Sequence, residues 1–232
     1  NVSQVASAID DGAKVSAGDP DKTPTFSATE AQLRKNASVN MVSAQDGDIL
    51  ITGPAPGRPN PGLLSAEGGR GAIAGNNDTI QDATRRAGDG GSIILTAMHN
   101  VVNAGKVSAS GGDGLQGSSS INGGNGGTIA VLANGNIVNS ATPQMGFNGR
   151  FQANGGRGGK YIVGGPALAQ APKGGNGGVI AFGYNGQMQN SGVIQASGGV
   201  GGAGSTALSG QALVTGGHGG QGGLIVLSGN AN

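Results

Sequence analysis

GGNGGVIAFGYNGQMQNSGVIQASG, residues 174–198, contains every recurring feature of this chain. A glycine block leads into Val179-Ile180-Ala181-Phe182, where the apolar residues Ile180 and Phe182 stand two apart. Apolarity of period two places those side chains on one face of a β-strand. After a short turn Met188 and Asn190 repeat the alternation, and Ile194 and Ala196 close the frame before the next glycine pair.

The frame recurs behind the openings at 88–91 and 123–127, and a truncated copy follows the opening at 216–223. Superposed, Ile93, Ile129, Ile180 and Ile225 share one position, and Leu95, Val131, Phe182 and Leu227 share the position two residues on. Val101, Ile137 and Met188 align next, then Asn103, Asn139 and Asn190, then Val107, Phe151 and Ile194, then Ala109, Ala153 and Ala196. The openings end at Gly91, Gly127, Gly178 and Gly223, spaced by 36, 51 and 45 residues, so a constant frame carries variable loops.

A frame of about 20 residues is one turn of a solenoid, in which each repeat buries its apolar face on its neighbours. The expected fold is an all-β, right-handed parallel β-helix formed by 1–232 as one solenoid. Residues 91–232 supply glycine-rich coils, each expected to hold an apolar strand, a turn and a second strand. Stacking at about 4.8 Å per coil makes an aliphatic ladder of the Ile93 and Val107 columns and an amide ladder of Asn103, Asn139 and Asn190. Asn suits a corner because it tolerates left-handed φ and can bond its copies above and below. The glycine blocks permit positive φ or close backbone approach, either as loops or as extended polyglycine-like ladders.

Residues 1–90 are less regular. Strand-like pieces occur at 39–43 and 48–52, and the proline-rich 53–62 reads as an irregular loop because proline removes ladder donors. A capping box at Ser27 to Glu30 predicts a short helix to about Lys35, and Asp78-Thr-Ile-Gln81 opens a second, ending before Gly88.

Composition narrows the function. With 51 glycines in 232 residues but no three-residue period, the chain is not a collagen, and its apolar runs argue against simple disorder. No stretch is apolar enough to span a bilayer, and with zero Cys no disulfide stabilises it. The basic residues Lys106, Arg150, Arg157, Lys160 and Lys173 are scattered, which speaks against nucleic acid. Residues 1–90 hold eight Lys+Arg against eleven Asp+Glu, and the remainder five against one, a polarity that favours head-to-tail contact.

Catalysis is not expected. Solenoid lyases and hydrolases need clustered carboxylates, and here only Asp113 lies within the repeats. His99 and His218 read as solvated loop residues. No cofactor is expected; Gly-Gly-Asp113-Gly and Gly88-Asp-Gly-Gly resemble pieces of a Ca²⁺-binding repeat, but Asn125, Asn176 and His218 occupy the slot in the other copies. Phe151 and Phe182 align with core positions, while Tyr161 with Phe147 is a candidate platform for a glycan.

The last repeat stops after its first strand, Leu224-Ile225-Val226-Leu227, and the missing half has a counterpart near residue 1. Ala13-Lys14-Val15-Ser16-Ala17 nearly repeats Gly105-Lys-Val107-Ser-Ala109. The expected subunit joint therefore pairs Leu224, Ile225, Val226 and Leu227 of one copy with Val5, Ile9, Ala13, Val15 and Ala17 of the next, by strand augmentation.

The frame Asn103-Ala-Gly105-Lys-Val107-Ser-Ala109-Ser-Gly111, repeated as Asn190-Ser-Gly192-Val-Ile194-Gln-Ala196-Ser-Gly198, resembles the Asn-x-Gly-x-Ile-x-Ala-x-Gly repeats of filamentous-haemagglutinin-like exoproteins. The resemblance covers 91–232 and 9–18 and implies a secreted bacterial parallel β-helix with a surface or matrix role, and transfers no binding residue. The expected function is structural, a subunit polymerising head to tail into an extracellular filament, with itself and cell-surface glycans as partners. The alternative is a monomeric fragment of a secreted adhesin or exopolysaccharide-binding protein.

Overall fold

The computed structural model of the chain describes residues 38–42, 48–51, 53, 62–68, 87–114, 122–142, 147–159, 171–204 and 216–230. Among these the secondary structure is entirely β. The helices expected at 27–35 and 78–87 find no counterpart among the described residues, and all but the last residue of those segments lies outside them.

The chain visits three parallel sheets in a constant order. The first circuit is β1 (Ser38–Val42), β2 (Ile49–Ile51) and β3 (Leu63–Ser65); the second is β4 (Ser92–Ala97), β5 (Val101–Asn103) and β6 (Lys106–Ser108). In the third, β7 (Thr128–Ala133) and β8 (Ile137–Asn139) are followed by an antiparallel hairpin, β9 (Ala141–Thr142) and β10 (Phe147–Asn148), before β11 (Arg150–Gln152). The fourth is β12 (Val179–Tyr184), β13 (Met188–Asn190) and β14 (Val193–Gln195), and β15 (Leu224–Gly229) adds one strand more. The first sheet is β1-β4-β7-β12-β15, the second β2-β5-β8-β13 and the third β3-β6-β11-β14.

Each circuit thus has three strands where the repeat pattern suggested two. The second apolar segment bends at its asparagine: Gly105 N–H donates to Asn103 Oδ1 at 3.0 Å, and Gly192 N–H to Asn190 Oδ1 at 3.2 Å. A side chain accepting from two residues on mimics a backbone turn. The bend sends Val101 and Val107 to different sheets, with both side chains fully buried.

Register follows the repeat. Ile93 pairs with Ile129, Ile129 with Ile180 and Ile180 with Ile225, while Leu95, Val131, Phe182 and Leu227 form the next column. Val107, Phe151 and Ile194 form a column in the third sheet. One face of each long strand is therefore interior, as in β7, where Ile129, Val131 and Ala133 are buried and Thr128 and Leu132 are exposed. Phe151 and Phe182 meet edge to face across the interior, their ring centroids 5.2 Å apart. Such a contact adds about 0.5–1.5 kcal/mol beyond area burial.

The glycine blocks form two further layers, neither helix nor strand. Segments 87–91, 122–127, 172–178 and 216–223 precede the first sheet; segments 66–68, 109–114, 153–159 and 196–202 follow the third. Within 123–127 the direction of donation repeats every three residues. Gly123 and Gly126 donate to Lys173 and Asn176 in the next circuit, whereas Gly124 and Gly127 donate across to Gly112 and Ala109 of the other layer. Three residues per turn with no internal hydrogen bond is polyproline-II geometry. It leaves every N–H available to a neighbouring segment, and the crosswise bonds run Gly112 to Gly88, Gly124 to Gly112, Gly156 to Gly124, Gly175 to Gly156 and Gly199 to Gly175, at 2.7–2.9 Å.

Glycine is required here for clearance, not for positive φ. A Cβ on Gly124, Gly156, Gly175 or Gly199 would overlap the carbonyl oxygen of Gly88, Gly112, Gly124 or Gly156 respectively, and none of the four has a left-handed φ. The blocks are extended ladders rather than corner loops.

Candidate functional site

The candidate site is the end of the stack at β15. Ile225 and Leu227 continue two interior columns but are 42% and 57% exposed, whereas Ile180 and Phe182 beneath them are 0% and 1%. Among the described residues β15 pairs with β12 alone, and all six of its residues are exposed. One rung lower, the second and third sheets end on Met188 and Ile194, which are half-buried. The opposite end differs: Ile49, Ile51 and Leu64 of the first circuit are all buried.

Polar ladders give this end a direction. In the interior the Asn103 amide donates to Asn139 Oδ1 at 2.9 Å, and the Asn139 amide to Asn190 Oδ1 at 2.8 Å. The pattern leaves the amide of Asn190 as the donor for one more rung. At the corner between the first and second sheets the polarity is reversed. Main-chain N–H groups of Asn100, Asn136 and Gln187 donate back to the side chains of Asp48, Asn100 and Asn136, each at 2.8 Å. In the glycine layer Asn125, Asn176 and Gln221 donate in the same way to Asp89, Asn125 and Asn176, at 2.7–3.0 Å. Among the described residues Gln187 and Gln221 end these ladders, and an open polar recess lined by Asn136, Asn185, Gly186, Gln187 and Asn230 lies beside the first.

Among the described residues each of these two ladders has a carboxylate only at its first position. Repeated carboxylates stacked about 4.8 Å apart would repel one another, whereas neutral amides supply the same acceptor. Alignment of the repeats did not single out these corner ladders. Their signal was nonetheless present in Asn100 and Asn136, separated by the same 36 residues as Asn103 and Asn139.

The other candidates are placed as follows. Asp113 Oδ1 accepts the N–H of Arg157 at 2.7 Å, and Glu67 pairs with Lys106 at 2.9 Å while accepting from Ser108 Oγ. His99 and His218 are exposed, and each uses its carbonyl as a ladder acceptor, from Gly135 and Gly174. Among the described residues no three His, Cys, Asp or Glu side chains converge on a common point. The joint residues Val5, Ile9, Ala13, Val15 and Ala17 lie outside the described residues, as do Tyr161 and the side chain of Phe147.

No family model, curated protein or solved structure matches the chain. Among the described residues no helix is long and apolar enough to cross a membrane.

Proposed function

We propose that the chain is a right-handed parallel β-helix of the filamentous-haemagglutinin-like kind, secreted by a bacterium, whose subunits stack head to tail into an extracellular filament. Its role is structural and not enzymatic. Right-handedness follows from the strong bias of parallel crossovers within one sheet. The observation that carries the assembly is the exposure of Ile225 and Leu227 on an otherwise buried column, at a strand edge with no partner among the described residues. An edge of that kind is a template for pairing.

The geometry sharpens which residues would complete the rung that β15 begins. β15 already occupies the first sheet, so the positions to be filled lie over Met188 and Ile194, six residues apart. Ile9 and Val15 have the same separation. With Ile9 over Met188 and Val15 over Ile194, Asp11 falls on the asparagine column, where its carboxylate accepts from the Asn190 amide. Val5 then falls level with the end of β15. The glycine layer is not continued across this joint, because Asp19 and Pro20 stand where the repeat has Gly198 and Gly199, and proline has no N–H to donate across.

Electron microscopy of the purified chain tests the reading. Filaments are expected, and deletion of residues 1–18 should leave folded single rods. Filaments of normal length from the deletion variant would overturn the joint, and single rods from the full chain would return it to the monomeric adhesin alternative.

A further inference from the structure

The outward face of the first sheet differs from the third sheet and the glycine layers. The second sheet also shows no charge outward, at Leu50, Val102, Val138 and Gln189, but its strands are three residues long where β4, β7, β12 and β15 have six. The third sheet turns Lys106 and Arg150 outward on its rungs, and the glycine layers display Asp89, Asp113, Arg157 and Lys173. On β4, β7, β12 and β15 the outward positions carry no charge at all. Five large apolar side chains stand on this face: Ile94 39% exposed, Leu132 50%, Val179 36%, Leu224 56% and Val226 40%. It is also level. Leu132 leans over Gly183, so that a Cβ there would lie 2.8 Å from its Cδ2, and Ala130 and Ala181 form a shallow trough in the central column between Val179 and Leu132.

We infer that this face is the lateral contact between two copies of the chain, so that the filament is a pair of solenoids packed sheet to sheet. The inference rests on the head-to-tail reading above. A charged partner is disfavoured because the face offers no charge to complement. A sugar is disfavoured because the face carries no aromatic ring; Phe151 and Phe182 are interior and Tyr184 packs on the core. A second sheet of the same kind fits. At the usual spacing of about 10 Å, Leu132 and Val179 of one copy enter the alanine trough of the other, an isologous contact.

Area decides when pairing occurs. Four strands about 4.8 Å apart, each six residues of about 3.3 Å, present roughly 400 Å² per copy. A stable interface needs about 800 Å² per partner. One subunit falls short by half, and two stacked subunits reach the requirement, so pairing follows stacking and widens the fibre as it lengthens.

The test is the width of the fibres by electron microscopy. Wild-type filaments should be two solenoids wide. Ala181→Lys, which places a charge in the trough, should give filaments one solenoid wide and of unchanged length, and Thr128→Lys, at an already exposed position, should do the same if the first variant fails to fold. Gln195→Lys on the third sheet should leave the pairs intact. Wild-type filaments one solenoid wide overturn lateral pairing while leaving head-to-tail stacking intact, and cosedimentation of such single filaments with an insoluble polysaccharide would give the face to a glycan instead. Pairs that persist in both lysine variants also overturn it. Absence of any filament removes the stacking reading and the pairing with it.

Discussion

The strand-built part of each circuit and its glycine-built part solve one packing problem in opposite ways. Around Phe151 and Phe182 the interior is filled by side chains, and the main chains stay apart to make room for them. Between the glycine layers side chains are few, and main chain bonds to main chain in two directions. The first region is held by removal of apolar surface from water. The second is held by hydrogen bonds whose net worth is only about 0.5–1.5 kcal/mol each, but which recur at every rung. A chain poor in aromatic residues can therefore build a wide cross-section, provided part of it needs no core.

Four substitutions probe that contrast by thermal or denaturant unfolding. Phe151→Ala removes a ring at the centre of the strand-built region and should cost about 3–5 kcal/mol. A loss under about 1 kcal/mol would show that the apolar interior is not what holds the strands. Gly175→Ala adds one methyl group where the Gly124 carbonyl lies, and main chain cannot move aside as a side chain does. A loss of about 3 kcal/mol is expected, at the upper end for overpacking, and an unchanged midpoint would refute the close approach of the layers.

Asn139→Ala breaks the amide ladder in the middle, leaving the Asn103 amide with only the Arg150 carbonyl and Asn190 Oδ1 with only the Gly192 N–H. The expected cost is about 2 kcal/mol, the sum of two hydrogen bonds at about 1 kcal/mol each. Gly222→Ala is the internal control. It lies in the same kind of block as Gly220, but a Cβ there meets nothing within 4 Å. Its effect should stay within about 0.5 kcal/mol, and a large loss would mean that the block depends on glycine for a reason other than space.

Much of this architecture was legible because a stacked repeat writes its contacts in one dimension. The alignment of Ile93, Ile129, Ile180 and Ile225 in the sequence is the same alignment as the registers of the first sheet. The asparagine ladder was legible for the same reason, since Asn103, Asn139 and Asn190 keep their place in the frame despite unequal loops. The division of Val101 and Val107 between two sheets was not legible. Alternation continues through a bend as it does through a straight strand, and only the hydrogen bond from Gly105 to Asn103 marks the turn. Of the candidate site, the strand Leu224–Gly229 could be read from the repeat, whereas Met188, Ile194 and the ends of the amide ladders emerge only when the rungs are set one above another.

Period, strand alternation and the identity of the residues that share a column are written in the order of the amino acids, because each coil must offer the next coil the same surface. What the glycines do is settled only in three dimensions. A glycine block has no pattern of its own from which to infer a partner. Its form is set by the carbonyl oxygens of neighbouring segments, some of them more than forty residues away, that leave no room for a side chain and accept two of every three N–H groups.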